Sequence, residues 1–263
     1  MTASRDLADF RRPPVIEVVL GIEFQPIPNL GAAQLTRLAD SWADRYPHLE
    51  ELPALPPSPV PGARGGFAGA LVSVGAPALR LWRLSPNRDQ LLQVQRDRLV
   101  LNWQRRDSAY PHYAQLRPAF EAALRDTNDF LARSGLGSIR GSAAEVVYVN
   151  RLEHEAGTPA AALRRALAGG WPASDSLGDP DAIQLNQSWD RRVGDRPATL
   201  SMTADSAQLG GAVLSWTYRE ALASSSSALE DAISALDRGH EAIVTSFADT
   251  TTDEMHTQWE RMR

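Results

Sequence analysis

The sequence contains no cysteine and no lysine; all 27 of its cationic side chains are arginine. Without cysteine there is no disulfide, no thiolate nucleophile and no thiolate-held zinc or iron-sulfur cluster. Without lysine there is no Schiff-base amine, no phosphate-loop lysine and no kinase strand lysine. An all-arginine, alanine-rich chain is what a GC-rich genome encodes, so the bias itself carries no functional meaning. Long apolar runs are lacking too, and nothing approaches the roughly 20 residues of a membrane span. The first ten residues contain Arg5, Asp6 and Asp9 and no apolar run, so no secretory signal is expected and the chain reads as cytoplasmic. No G-x-G-x-x-G or G-x-S-x-G motif occurs, and none of the five histidines, His48, His112, His154, His240 and His256, stands at metal-ligand spacing. The sequence thus assigns no catalytic residue, no metal and no cofactor.

What is present is enough for a proper core. The 263 residues are 43% apolar and include seven tryptophans, so burial offsets chain entropy without a staple. The formal charge of −5 argues against general attraction to nucleic-acid phosphates, although seven arginines against Asp89 and Asp97 between Arg80 and Arg106 form a potential basic patch.

Periodicity lays out the elements. "VIEVVLGIEF" puts Ile16, Val18, Leu20, Ile22 and Phe24 on one strand face and Glu17, Gly21 and Glu23 on the other. Leu35, Leu38, Trp42 and Tyr46 recur at helical spacing before Pro47. The Pro/Gly-rich "PALPPSPVPGARGG" is the strongest loop signal. Alternating runs at 67–74, 79–84, 91–95 and 99–103 predict a meander. A helix with the stripe Tyr113, Leu116, Phe120 and Leu124 follows, capped by Ser108. The second half repeats the order: strand "AEVVYVNRLE", helix "TPAAALRRALAG", three strands, a helix opening on a Ser227/Glu230 capping box, and a last helix near Thr251.

This is an α+β reading: antiparallel sheets with helices on one face, in two strand-helix-meander-helix halves, 1–140 and 141–263, forming one compact unit. The order of elements resembles the two-fold saddle of the TATA-binding-protein superfamily, an analogy that implies a pseudo-duplication and leaves function open.

"RDRLVLNWQRRDSAYPHY", Arg96 to Tyr113, concentrates the residue types of polar sites. Strand parity turns Leu99, Leu101 and Trp103 inward and leaves Arg98 and Asn102 on the opposite face, suited to an Arg-carboxylate pair or to a ligand. The expected binding candidates are Glu17, Arg98, Asn102, Arg151 and Arg219. The hydroxyl and amide face of Gln184, Asn186, Ser188, Thr199, Ser201, Thr203, Ser215 and Thr217 reads as the solvated side of an antiparallel sheet.

"PPVIEVVLGIEF", "QRDRLVLNWQRRDSAYPHY", "VVYVNRLE" and the closing "ISALDRGHEAIVTSFADTTTDEMHTQW", taken together in order and spacing, are similar to a sporadically distributed family of uncharacterised bacterial proteins. The resemblance spans almost the whole chain and brings no assigned activity. Its patchy distribution implies mobile or defence-associated loci. In such families the position of Asp237 often looks like His, which puts a catalytic role there in doubt for this chain. The expected function is a non-catalytic binding or accessory protein acting through a protein partner encoded nearby. The alternative is a small-molecule or nucleotide-processing enzyme with a pocket between the halves. Nucleic acid ranks third, and self-association is compatible with the helix stripes.

Overall fold

The computed structural model describes residues 7–56, 58, 79–153, 158–169, 180–207, 211–223 and 228–263. Nine antiparallel strands form a single sheet: β1 (Val15–Phe24), β2 (His48–Pro53), β3 (Leu79–Leu84), β4 (Gln90–Gln95), β5 (Arg98–Gln104), β6 (Gly141–Leu152), β7 (Gln184–Val193), β8 (Arg196–Asp205) and β9 (Ala212–Ala221). Among the described residues there are five helices: α1 (Ala32–Asp40), α2 (His112–Arg133), α3 (Pro159–Ala166), α4 (Ala228–Thr250) and α5 (Asp253–Gln258). The architecture is α+β. Among the described residues no helix is long and apolar enough to cross a membrane.

The strand order is β2-β3-β4-β5-β1-β6-β9-β8-β7. Outward from the centre, β1-β5-β4-β3 and β6-β9-β8-β7 therefore follow the same chain logic, with a helix after each first strand and another after each last. One sheet crosses the boundary at residue 140, because β1 pairs with β6 from Val15 opposite Asn150 to Phe24 opposite Gly141.

Alternation decides the faces. Val18, Leu20 and Ile22 of β1, Leu99, Leu101 and Trp103 of β5, Val146 and Tyr148 of β6, and Leu214, Trp216 and Tyr218 of β9 are all buried in one cluster. The helix stripes Leu35 and Leu38, Leu116 and Phe120, and Leu236 and Ile243 belong to the same cluster, as 3.6- and 2-residue periods meeting at one interface require.

Several local expectations change. Ile16 is only half-buried while Val15 is buried, because a register shift between Val15 and Glu17 re-aims the start of β1. Helix α1 stops at Asp40, and Trp42 and Tyr46 reach the core from the turns that follow. The short, charged edge strand β2 has no apolar signature in sequence. Ser108 does not cap α2: its hydroxyl donates to Asp89 Oδ2 at 2.5 Å, and the helix begins after Pro111 with no side-chain cap. The run at 67–74, His154 and the Ser227 member of the capping box lie outside the described residues.

Candidate functional site

The predicted polar residues fall into three places. Asn102 Nδ2 donates to Glu17 Oε1 at 2.6 Å across the β1–β5 pair. Six residues further along the same face of β1, Glu23 takes Arg98 at 2.5 Å and Arg219 at 3.3 Å, and Arg219 reaches on to Glu145 at 2.5 Å. Burial works against the charge of Arg219, yet Glu145 and Glu23 together hold its pKa above the ordinary value. Arg151 joins neither group and lies exposed at the far end of β6.

This polar face is not fully open. The chain after β2 runs back over it: Leu55 N–H donates to Gln95 Oε1 at 3.1 Å, Gln95 Nε2 donates to Leu55 O at 3.2 Å, and an Arg98 N–H donates to Ser58 Oγ at 2.9 Å. Gln95 is consequently 1% exposed although it points away from the helices. The seven arginines of 80–106 do not form one patch. Arg83 is buried against Asp40 and the Ala39 carbonyl, Arg88 pairs with Glu50, Arg98 with Glu23, and Arg80 stacks over Trp82.

On the helical side, where the two halves meet, the fold leaves a cavity of about 550 Å³. That volume lies within the range of small-molecule sites. Its walls come from the segment before β1, the link from β5 into α2, the middle of β6, the second half of α4 and the end of the chain. Most of that lining is apolar, including Phe10, Val15, Ile243, Val244 and Phe247.

One hydrogen-bonded aromatic cluster interrupts it. Tyr110 OH donates to Tyr148 OH at 3.3 Å, and Tyr148 OH is hydrogen-bonded to His240 Nδ1, 2.8 Å away. Tyr113 stacks on the His240 ring, with centroids 4.1 Å apart and planes 7° apart. Its hydroxyl donates to Asp237 Oδ1 at 2.8 Å, and the same carboxylate receives a two-pronged contact from Arg117, at 2.8 and 3.2 Å. Helices α2 and α4 and strand β6 are thereby locked around one imidazole. Asp237 acts here as the shared acceptor that fixes Tyr113.

Burial sets the protonation of this cluster. Desolvation lowers the His240 pKa to about 4, against a smaller opposing pull from Asp237. Desolvation also raises Tyr110 to about 12 and pushes Tyr113 and Tyr148 well above the ordinary tyrosine value. Imidazole and phenols alike are neutral from mildly acidic to mildly basic pH, and they supply hydrogen bonds without charge.

A second, polar cavity of about 600 Å³ adjoins the first, and Pro13, Pro14, Tyr110 and His112 line both. His112 stands at the shared edge with φ +57°, a left-handed conformation that few non-glycine residues adopt. The second cavity is lined by Arg11, Arg12, Arg105, Arg106 and Arg151 against two carboxylates, Asp107 and Glu153.

The link from β5 into α2 is thus itself a wall of the site. Arg105 to Tyr113, Pro111 apart, line the two cavities, while Trp103 is core. His112 and His240, which stand at no metal-ligand spacing in the sequence, both border one cavity. The signal available was the density of tyrosine and histidine in "AYPHY" opposite "GH" in the closing helix, legible only once the topology sets α2 beside α4. Among the described residues no group of three or more His, Asp or Glu is placed to hold a metal ion. No protein-family model matches the chain, and no curated protein matches it in sequence.

Proposed function

We propose that the protein is a non-catalytic binding protein whose ligand is a small molecule with an apolar body, held in the cavity between its two halves. The observation that carries this reading is the combination of a roughly 550 Å³ apolar cavity with the Tyr110–Tyr148–His240 chain in its wall. Such a site takes an apolar group by desolvation and orients it with a few hydrogen bonds. General acid-base catalysis needs a group whose pKa lies near the working pH. Here His240 titrates far below neutrality and the phenols far above it, which favours holding a ligand over transforming it.

A partner protein, expected from the family resemblance, has less to support it. Among the described large apolar side chains only Leu49, Leu55 and Met262 are exposed, so no broad apolar patch invites a stable interface. The test is a titration of the full chain with 1-naphthol, followed by tryptophan and tyrosine fluorescence. Saturable 1:1 binding that disappears in Val244→Trp, whose half-buried position lets the ring fill the cavity, is expected. Binding of equal strength in the filled variant would place the probe elsewhere and overturn the reading.

A further inference from the structure

We infer that the natural ligand is an anionic amphiphile, whose apolar body occupies the aromatic cavity and whose phosphate or carboxylate sits among the arginines of the adjoining basin. The inference rests on the reading of the cavity given above and adds the chemical class of what binds there.

Three observations carry it. The two cavities share Pro13, Pro14, Tyr110 and His112 as lining residues, so one molecule reaching past these side chains extends from one into the other. Their chemistry is divided: the first is lined mostly by aliphatic and aromatic groups and neutral hydrogen-bonding side chains, its two charged residues, Asp9 and Arg263, being paired with each other at 3.8 Å, whereas the second is lined by five arginines and two carboxylates. On a chain of net charge −5, that local excess of cations runs against the general balance.

The arginines are also available. Arg11 and Arg12 share one carboxylate, Glu260, at 3.4 and 3.8 Å, and both are largely exposed. Arg105 donates to the Pro13 carbonyl at 2.9 Å, which tethers it to the shared wall and leaves its charge uncompensated. Arg106 and Arg151 form no ion pair with any described carboxylate. Guanidinium groups present paired donors that match the oxygens of phosphate and carboxylate, which gives the basin its selectivity. A nucleic-acid strand is a poorer fit, because the cations surround one concave basin beside an apolar hole and do not form the extended track that successive phosphates need.

The experiment compares 1-naphthol, 1-naphthyl phosphate and 1-naphthoate on the full chain, with inorganic phosphate as a competitor. The expected result is that one or both charged probes bind at least about tenfold more tightly than 1-naphthol at low salt. That gap should close on raising the ionic strength, because the arginines are exposed and screened. It should also close in the Arg106→Ala/Arg151→Ala double variant while 1-naphthol affinity is retained; both side chains are at the surface, so the variant folds. Which charged probe shows the larger gap separates phosphate from carboxylate as the recognised group.

Equal affinities for charged and uncharged probes would overturn the anionic inference and leave the cavity reading standing. Absence of binding by every naphthyl probe would overturn both. Binding of 1-naphthyl phosphate that survives Val244→Trp and is displaced by an equal concentration of inorganic phosphate would show an anion site alone, and would overturn the single amphiphilic ligand.

Discussion

Gly239 of α4 lies against Tyr218 of β9 so closely that a Cβ at residue 239 would come within 2.7 Å of the Tyr218 ring Cδ1 and 2.9 Å of Val146 Cγ2. The absent side chain lets α4 settle onto the sheet, and the next residue is His240. In an exposed helix interior, glycine to alanine stabilises by about 1 kcal/mol. Here the contact with ring and valine outweighs that gain, and Gly239→Ala is expected to destabilise by about 1–2 kcal/mol net, as overpacking does. A lower urea midpoint with an unchanged m-value is the check; a raised midpoint would refute the close approach.

His240 makes stability depend on pH in a defined direction. Its folded-state pKa of about 4 lies below the ordinary 6.5, so between these values the unfolded chain binds more protons than the native one. The contribution is intact above about pH 6.5 and is lost as pH falls toward 4, by up to about 3 kcal/mol. His256, also lowered by burial first and by Arg261 second, acts in the same sense. Imidazole NMR titration locates the midpoint, and His240→Gln is expected to flatten the acid limb of the stability curve.

The Glu220 carboxylate is fully buried between α4 and β8. It accepts from Arg238 at 2.7 and 3.0 Å, from Tyr218 OH at 2.7 Å and pairs with Arg196 at 2.9 Å. Glu220→Ala strands the Arg238 guanidinium, while Arg196 keeps Asp231 at 2.6 Å, and is expected to cost about 3 kcal/mol. Arg238→Ala should cost less, since Arg196 and the Tyr218 hydroxyl still serve the carboxylate. Chemical denaturation of the two variants orders them; a cheaper loss at Glu220 would contradict the arrangement.

Gln95 and Leu55 exchange two hydrogen bonds in the manner of a ladder pair, though one partner is a side-chain amide. Gln95→Leu removes both while keeping the bulk. Hydrogen exchange at the Leu55 amide should accelerate by about tenfold or more, the effect of losing roughly 1–2 kcal/mol of local protection. Exchange elsewhere in β4 and β5 should stay as it was.

The sheet was readable because alternation is a local signal. Leu99, Leu101 and Trp103 announce a buried face, and all three are in the core. The pairing of Arg98 and Arg219 on Glu23 was half legible: parity put each on the polar face, but only the central position of β1 and β6 brings residues 23 and 219 together. The cavity was not legible, because its walls come from segments at opposite ends of the chain. Asp9 and Met262 are joined by a backbone bond of 2.8 Å, a contact between residues with no sequence pattern in common. The Ser108 cap was misread for a related reason: a distant acceptor, Asp89, competes for the hydroxyl that local sequence assigns to the helix.

Strands β1 and β6 meet at the centre of the sheet, and each is the first strand of its half. A chain cut at Arg140 would therefore turn the middle of the sheet into a bare edge on both pieces, 10 residues long on one and 12 on the other. Each edge would be apolar on one face, lined with free amides and carbonyls, and shaped to receive a first strand in antiparallel sense, which is also what a second copy of the same fragment presents. Separated halves would thus self-pair or aggregate before they stood alone.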